Sequence, residues 1–69
     1  MKVYLCVHRI SDENGQWERT LFVSTDYDKV KEYWEQWECN NQDQYDSYSV
    51  EEWDGEYHKV IDFKETQYE

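Results

Sequence analysis

The sequence predicts an α+β domain of order ββαββ: a four-stranded, mostly antiparallel sheet with one helix packed on one face. Three observations carry that expectation. One segment, 24–41 (STDYDKVKEYWEQWECNN), has a helical period, with Tyr27, Val30, Tyr33, Trp34 and Trp37 recurring at spacings of three and four. On either side lie paired runs of β-branched and aromatic residues that lack this period. Each pair is joined by a hairpin dipeptide, Asn14-Gly15 in the first and Asp54-Gly55 in the second. Two hairpins flanking one amphipathic helix bury their apolar surfaces most simply as a sheet with the helix laid across it.

Residues 2–10 (KVYLCVHRI) read as the first strand and 16–23 as its return. Taking Asn14-Gly15 as a two-residue turn pairs Glu13 with Gln16. One face then carries Val3, Leu5, Val7, Arg9, Thr20 and Phe22, and the other Tyr4, Cys6, His8, Ile10, Trp17, Leu21 and Val23. Both faces are apolar, and a helix of about four turns covers one of them. The second, represented by Tyr4, Ile10, Trp17 and Leu21, is a candidate homodimer or partner surface.

Ser24 or Thr25 is placed to cap the helix, with Asp26 and Asp28 in its first turn, where the helix dipole favours acids. Thr25 and Asp28 have the spacing of a capping-box variant. Asn40-Asn41 supplies a left-handed stop, and 42–46 is a polar connection. Residues 48–53 and 56–63 form the second hairpin. Pairing Trp53 with Glu56 puts Tyr48, Val50, Tyr57, Ile61 and Phe63 on a core face, and Glu51, Trp53, Glu56, His58 and Asp62 on the opposite one. Lys59 falls in the core-side register, the mark of a strand end or bulge. Residues 64–69 read as a frayed tail.

Sixty-nine residues make a single domain, 1–69, at the lower limit of independent stability. Aliphatic residues are few (Leu5, Leu21, Ile10, Ile61 and six valines), so thirteen aromatic residues must fill much of the interior. That aromatic content argues for a folded chain despite its charge. No apolar run approaches a membrane span and no signal-peptide core follows Met1, so a cytoplasmic location is expected. Cys6 and Cys39 have no zinc spacing and read as reduced fillers. No cofactor or metal is expected.

Chemistry-bearing motifs are absent. Gly15 and Gly55 are the only glycines and both belong to turns, which leaves no phosphate-binding loop. A nucleophile at Cys39 would sit beside Glu38, which raises a thiol pKa where catalysis needs it lowered. The expectation is therefore a non-enzyme. Direct nucleic-acid binding is disfavoured for want of cations to meet the phosphates.

The charge is distributed unevenly. Five basic and five acidic residues balance up to Lys31, whereas 32–69 holds twelve acids against Lys59 and Lys64, and thus the whole net charge of −10. Glu32, Glu35 and Glu38 occupy the middle and end of the predicted helix, where the dipole prefers cations, so folding alone gives no reason for them. A rigid array of carboxylates suits the basic groove of a protein that normally holds DNA or RNA. Glu51, Asp54 and Glu56 add charge on the second hairpin, and Trp53 offers an aromatic anchor of the kind tight interfaces use.

In size, acidity, aromatic richness and simple ββα architecture, the chain resembles the small acidic inhibitors carried by bacteriophages, among them anti-CRISPR proteins and other DNA mimics. The resemblance covers the whole chain in character and rests on no motif, so it transfers no residue role. It implies a protein partner, namely a basic nucleic-acid-binding host protein met in the host cytoplasm. The alternative is a small homodimeric interaction or structural protein with no nucleic-acid-related target.

Overall fold

The computed structural model describes residues 1–39 and 45–67. Four strands and one helix follow in the order β1 (Lys2–Asp12), β2 (Gly15–Ser24), α1 (Tyr27–Glu35), β3 (Tyr45–Asp54) and β4 (Tyr57–Glu65). All three strand pairings are antiparallel, and the sheet order is β2-β1-β3-β4. The first strands of the two hairpins are therefore neighbours at the centre, and the returning strands form both edges. The α+β, ββαββ architecture with the helix on one face is as the sequence predicts.

Both turns differ from expectation by one residue. Asp12 pairs with Gly15, so Glu13-Asn14 forms the loop, and Asp54 pairs with Tyr57, so Gly55-Glu56 does. A type I′ turn needs positive φ at both central residues, and no non-glycine residue among those described adopts it. Gly15 takes φ +142 after the loop, while the Asn14 amide donates to Asp12 Oδ1 at 2.8 Å. Gly55, at φ +64, leads its loop as the first central residue of a type II′ turn does.

Each hairpin also carries a β-bulge at an equivalent place. Val7 pairs with Thr20 but Cys6 with Phe22, which leaves Leu21 as the extra residue. Glu51 pairs with Val60 but Val50 with Asp62, which leaves Ile61 extra. The two bulges flank the central Cys6–Val50 pair. Beyond each bulge the alternation is reversed. Phe22 thereby joins Cys6 on the helix side and Val23 moves to the open side. In the second hairpin, Asp62 turns toward the helix and Phe63 turns away from it, the opposite of the predicted faces.

The core is small, as the thin aliphatic supply requires. Cys6, Val30 and Val50 are fully buried, with Tyr4, Leu21, Phe22, Tyr27, Tyr33, Trp34 and Ile61 packed around them. Tyr4 and Leu21 thus lie beneath the helix and are not available as a dimer surface. The helix-covered face is theirs, and the face that no described element covers is that of Val3, Leu5 and Val7.

The helix is shorter than its pattern. Asp26, not Ser24 or Thr25, is the N-cap, accepting from the Asp28 amide at 3.0 Å, while Ser24 Oγ accepts from the Asp26 amide. The capping-box pairing of Thr25 with Asp28 is displaced by that bond. The α-helix ends at Glu35 with Gln36 as C-cap, so Trp37, Glu38 and Cys39 lie past it. Asn40-Asn41 lies outside the described residues, as does most of the predicted 42–46 connection. Residues 64–66 are not frayed. Lys64 and Glu65 complete β4, and Thr66 is buried, its amide donating to Asp46 O at 2.8 Å and its Oγ1 accepting from the Asp46 amide at 2.8 Å.

Candidate functional site

Two surfaces flank this sheet, and the same alternation of side chains builds both. On the helix side, α1 presents Tyr27, Val30, Tyr33 and Trp34 inward. A spacing of four and then three puts Asp28, Glu32 and Glu35 together on the outward side, along about 10 Å of helix axis. All three are exposed, as is Glu38 just beyond the helix, and none makes an ion pair among the described residues. They form an acidic ridge.

Lys29 stands exposed at the margin of this ridge, and the other helix-side cations are engaged. Lys31 shares the helix but turns to Asp62, with Nζ 2.7 Å from Oδ1, beside the Tyr27 hydroxyl, which donates to Oδ2 at 2.6 Å. Burial alone would raise the Asp62 carboxyl, but the Lys31 and Tyr27 hydrogen bonds and the Lys31 charge outweigh it and hold the pKa below its ordinary value. Hydrogen bonding to Asp62 likewise raises the pKa of Lys31 and of Tyr27. Lys64 reaches across from β4 to donate to the carbonyls of Trp34, at 2.8 Å, and of Trp37, with its ammonium 4.3 Å from the Trp34 ring centroid. A distant residue thus supplies the C-terminal cation that the helix lacks in its own last turn. Lys2 lies 3.5 Å from Glu52, and Arg9 is bound on the opposite face.

Asp54 and Glu56 are exposed at the β3–β4 turn, with the N-terminal ammonium 3.8 Å from Asp54. Trp37 stacks on Tyr48 and the Cys39 thiol reaches Lys64 O, so Glu38 sits at the Tyr48 end of β3. The turn lies six residues further on, about 20 Å away. The predicted acidic residues therefore form two patches rather than one.

Glu51 belongs to neither. Only 5% exposed, it accepts from Arg9 Nη2 at 2.7 Å and from the Trp53 indole at 3.1 Å on the open face. Its alternation with Val50 predicts that face, but not the arginine that claims it. Arg9 also donates to Ser49 Oγ at 3.1 Å and pairs with Glu18 at 2.9 Å, and the Glu51 hydrogen bond raises its pKa. Trp53 is half-buried, its ring stacked 4.1 Å from His58. It is a packed residue rather than a protruding anchor. Ile10 pairs with Trp17 in the outer part of the first hairpin, where Trp17 stays 48% exposed. Beside them a groove of about 610 Å³ runs between Arg9, Trp17, Glu18, Tyr45, Ser47 and Phe63.

Sequence reasoning missed the His8 arrangement. His8 is buried, stacked on Tyr48 at 4.3 Å, with Nε2 3.3 Å from Asp46 Oδ1 and Nδ1 accepting from Arg19 Nε at 3.4 Å. The acceptor role at Nδ1 places the ring proton on Nε2, facing the carboxylate. Lone polar residues in a strand give no sign of such pairing before the register is known. Burial pushes the Cys6 thiol up to about 11 and raises that of Cys39, so neither has the character of a nucleophile. Among the described residues no group of three or more His, Cys, Asp or Glu side chains converges as a metal site, and no helix is long and apolar enough to cross a membrane.

Set beside known proteins, the chain matches no family model, no curated protein and no solved structure.

Proposed function

We propose that this chain is a non-enzymatic inhibitor of the DNA-mimic, anti-CRISPR-like kind. It would occupy the basic nucleic-acid groove of a host protein with the acidic side of α1, in the host cytoplasm. The observation that supports this most is the contrast between the helix-side acids and the cations. Asp28, Glu32, Glu35 and Glu38 are exposed and make no ion pair among the described residues, whereas four of the seven cations, Lys2, Arg9, Lys31 and Lys64, are engaged by a carboxylate or by helix carbonyls and Lys29 alone of the exposed cations shares the helix. Three carboxylates along about 10 Å of rigid helix are sparser than the phosphates of one DNA strand, which recur about every 3.4 Å of axis. They match such a strand in sign and reach without copying its geometry. Attraction of this kind speeds association and weakens with salt.

The test is an affinity capture from bacterial lysate at low salt, eluted with rising salt, beside a variant carrying Glu32→Lys, Glu35→Lys and Glu38→Lys. Enrichment of one nucleic-acid-binding protein, released at moderate salt and missing from the variant, is the expected outcome. Equal capture by the variant would remove the ridge from the account. The homodimeric reading draws on a different feature, the uncovered face of the sheet.

A further inference from the structure

Among the described residues, no element covers the face of the sheet turned away from α1. Two rows cross all four strands there, Val23–Leu5–Glu51–Val60 and Thr20–Val7–Ser49–Phe63. Val23, Val60 and Phe63 are each more than half exposed, and Val3, Leu5 and Trp53 are half-buried beside them. We infer that this face is a homodimer interface: a second copy of the chain stacks its own open face on it, giving four layers in the order helix, sheet, sheet, helix. The proposal is independent of the acidic-ridge reading.

Area, charge and symmetry select a second copy over other occupants. The molecule is a slab of 38 × 23 × 17 Å, so its broad face spans at most about 870 Å², room for the roughly 800 Å² that each partner buries in a stable interface of standard size. Its radius of gyration of 12.7 Å exceeds the roughly 11 Å of a compact chain this long, as a two-layer slab requires. This face carries little of the chain's charge. The open face carries Arg9 against Glu18, Glu51 and Glu65, a sum of −2 out of the chain's −10. Those acids are already taken: Glu18 and Glu51 by Arg9, and Glu65 by the Tyr45 hydroxyl. A face with apolar margins and engaged acids repels a second copy less than the rest of the chain's surface does.

Stacked sheets lie about 10 Å apart, and each copy's acidic ridge points outward from the far side of its own helix. The two ridges are then separated by well over the roughly 8–10 Å across which salt screens charge. Two chains of high like charge can therefore associate through this face with their ridges far apart. An antiparallel sheet of this kind meets its copy about a twofold axis, as an isologous interface does.

Sedimentation across a wide concentration range tests the proposal. The wild type should rise from 8.7 kDa on dilution to twice that value when concentrated. Phe63→Glu and Val60→Glu should stay at the monomer mass with unchanged far-UV circular dichroism, and the milder Phe63→Ser and Val60→Thr carry the test should the glutamates unfold the chain. Charge reversal at Glu32 and Glu35 should leave the dimer intact. Added salt should hold or tighten it, opposite to its effect on a ridge-bound target. A wild type monomeric throughout would overturn the inference, as would a dimer indifferent to Phe63 and Val60. Protection of this face only in the presence of a captured host protein would assign it to that target instead, and would equally overturn it.

Discussion

The two sides of the sheet begin from the same alternating strands and end in different states. On the helix side, Cys6 and Val50 are fully buried under Val30, and the aromatic rings of Tyr4, Phe22, Tyr33 and Trp34 close around them. On the open side, Val7 is buried together with polar Ser49 and Glu51. Ser49 and Glu51 sit beneath Arg9, while Val60 and Phe63 remain half in water. The difference teaches that an apolar strand pattern decides which residues can be buried, while the long side chains and the neighbouring element decide which are. Arg9 covers the centre of one face as α1 covers the other, and the arginine leaves apolar residues at its margin.

The largest expected effect separates the faces by stability. Val50→Ala should cost about 2 kcal/mol, and Val60→Ala less than about 0.5. In a domain whose core supplies only ~3–5 kcal/mol, the first would lower Tm by roughly 10–15 °C. Thermal melts of the two at high dilution check this, and equal losses would erase the distinction between the faces.

Glu51→Ala should come next, at about 1–2 kcal/mol, because Arg9 and the Trp53 indole lose their acceptor. The cost stays below that of a fully buried pair, since the arginine side chain is 40% exposed and can turn to water. A double-mutant cycle with Arg9→Ala measures the coupling, and additivity of the two would show that the network contributes nothing. Lys64→Met should cost about 1 kcal/mol by releasing the carbonyls at the end of α1. Trp34 fluorescence should change with it, because the ammonium sits over that ring, and an unaltered emission would contradict the cap.

The fold class, the strands and the inward stripe of the helix were legible in the sequence because periodicity records burial directly. The faces were legible only up to the bulges. A single extra residue at Leu21 and another at Ile61 reversed every assignment beyond them, which moved Asp62 under the helix and Phe63 off it. Their only trace is two consecutive large apolar residues in each returning strand, Leu21-Phe22 and Val60-Ile61. The exposure of Glu32, Glu35 and Glu38 could be read from helical spacing. The burial of Glu51 could not, because it depends on Arg9, forty-two residues away in the chain. The ordered 64–66 segment was missed for the same reason, its partners being the end of α1 and Asp46.

The smallest effect concerns pH. Asp62 has a folded pKa below its unfolded value of about 3.9. The stability it adds is therefore present above that value and is lost as pH falls through the folded pKa. Asp62→Asn should flatten the acid limb of the stability curve below about pH 4 and leave the shape near neutrality unchanged. Identical acid limbs in the two proteins would contradict the Lys31–Asp62–Tyr27 arrangement.

The most direct test of the proposed role is competition on the captured host protein, with a labelled nucleic acid bound at moderate ionic strength. Wild type should displace the label one for one, Phe63→Glu should do so per chain, and the Glu32/Glu35/Glu38 charge-reversed variant should not. A ternary complex in which nucleic acid and this chain sit on the host protein together would contradict occupation of the groove.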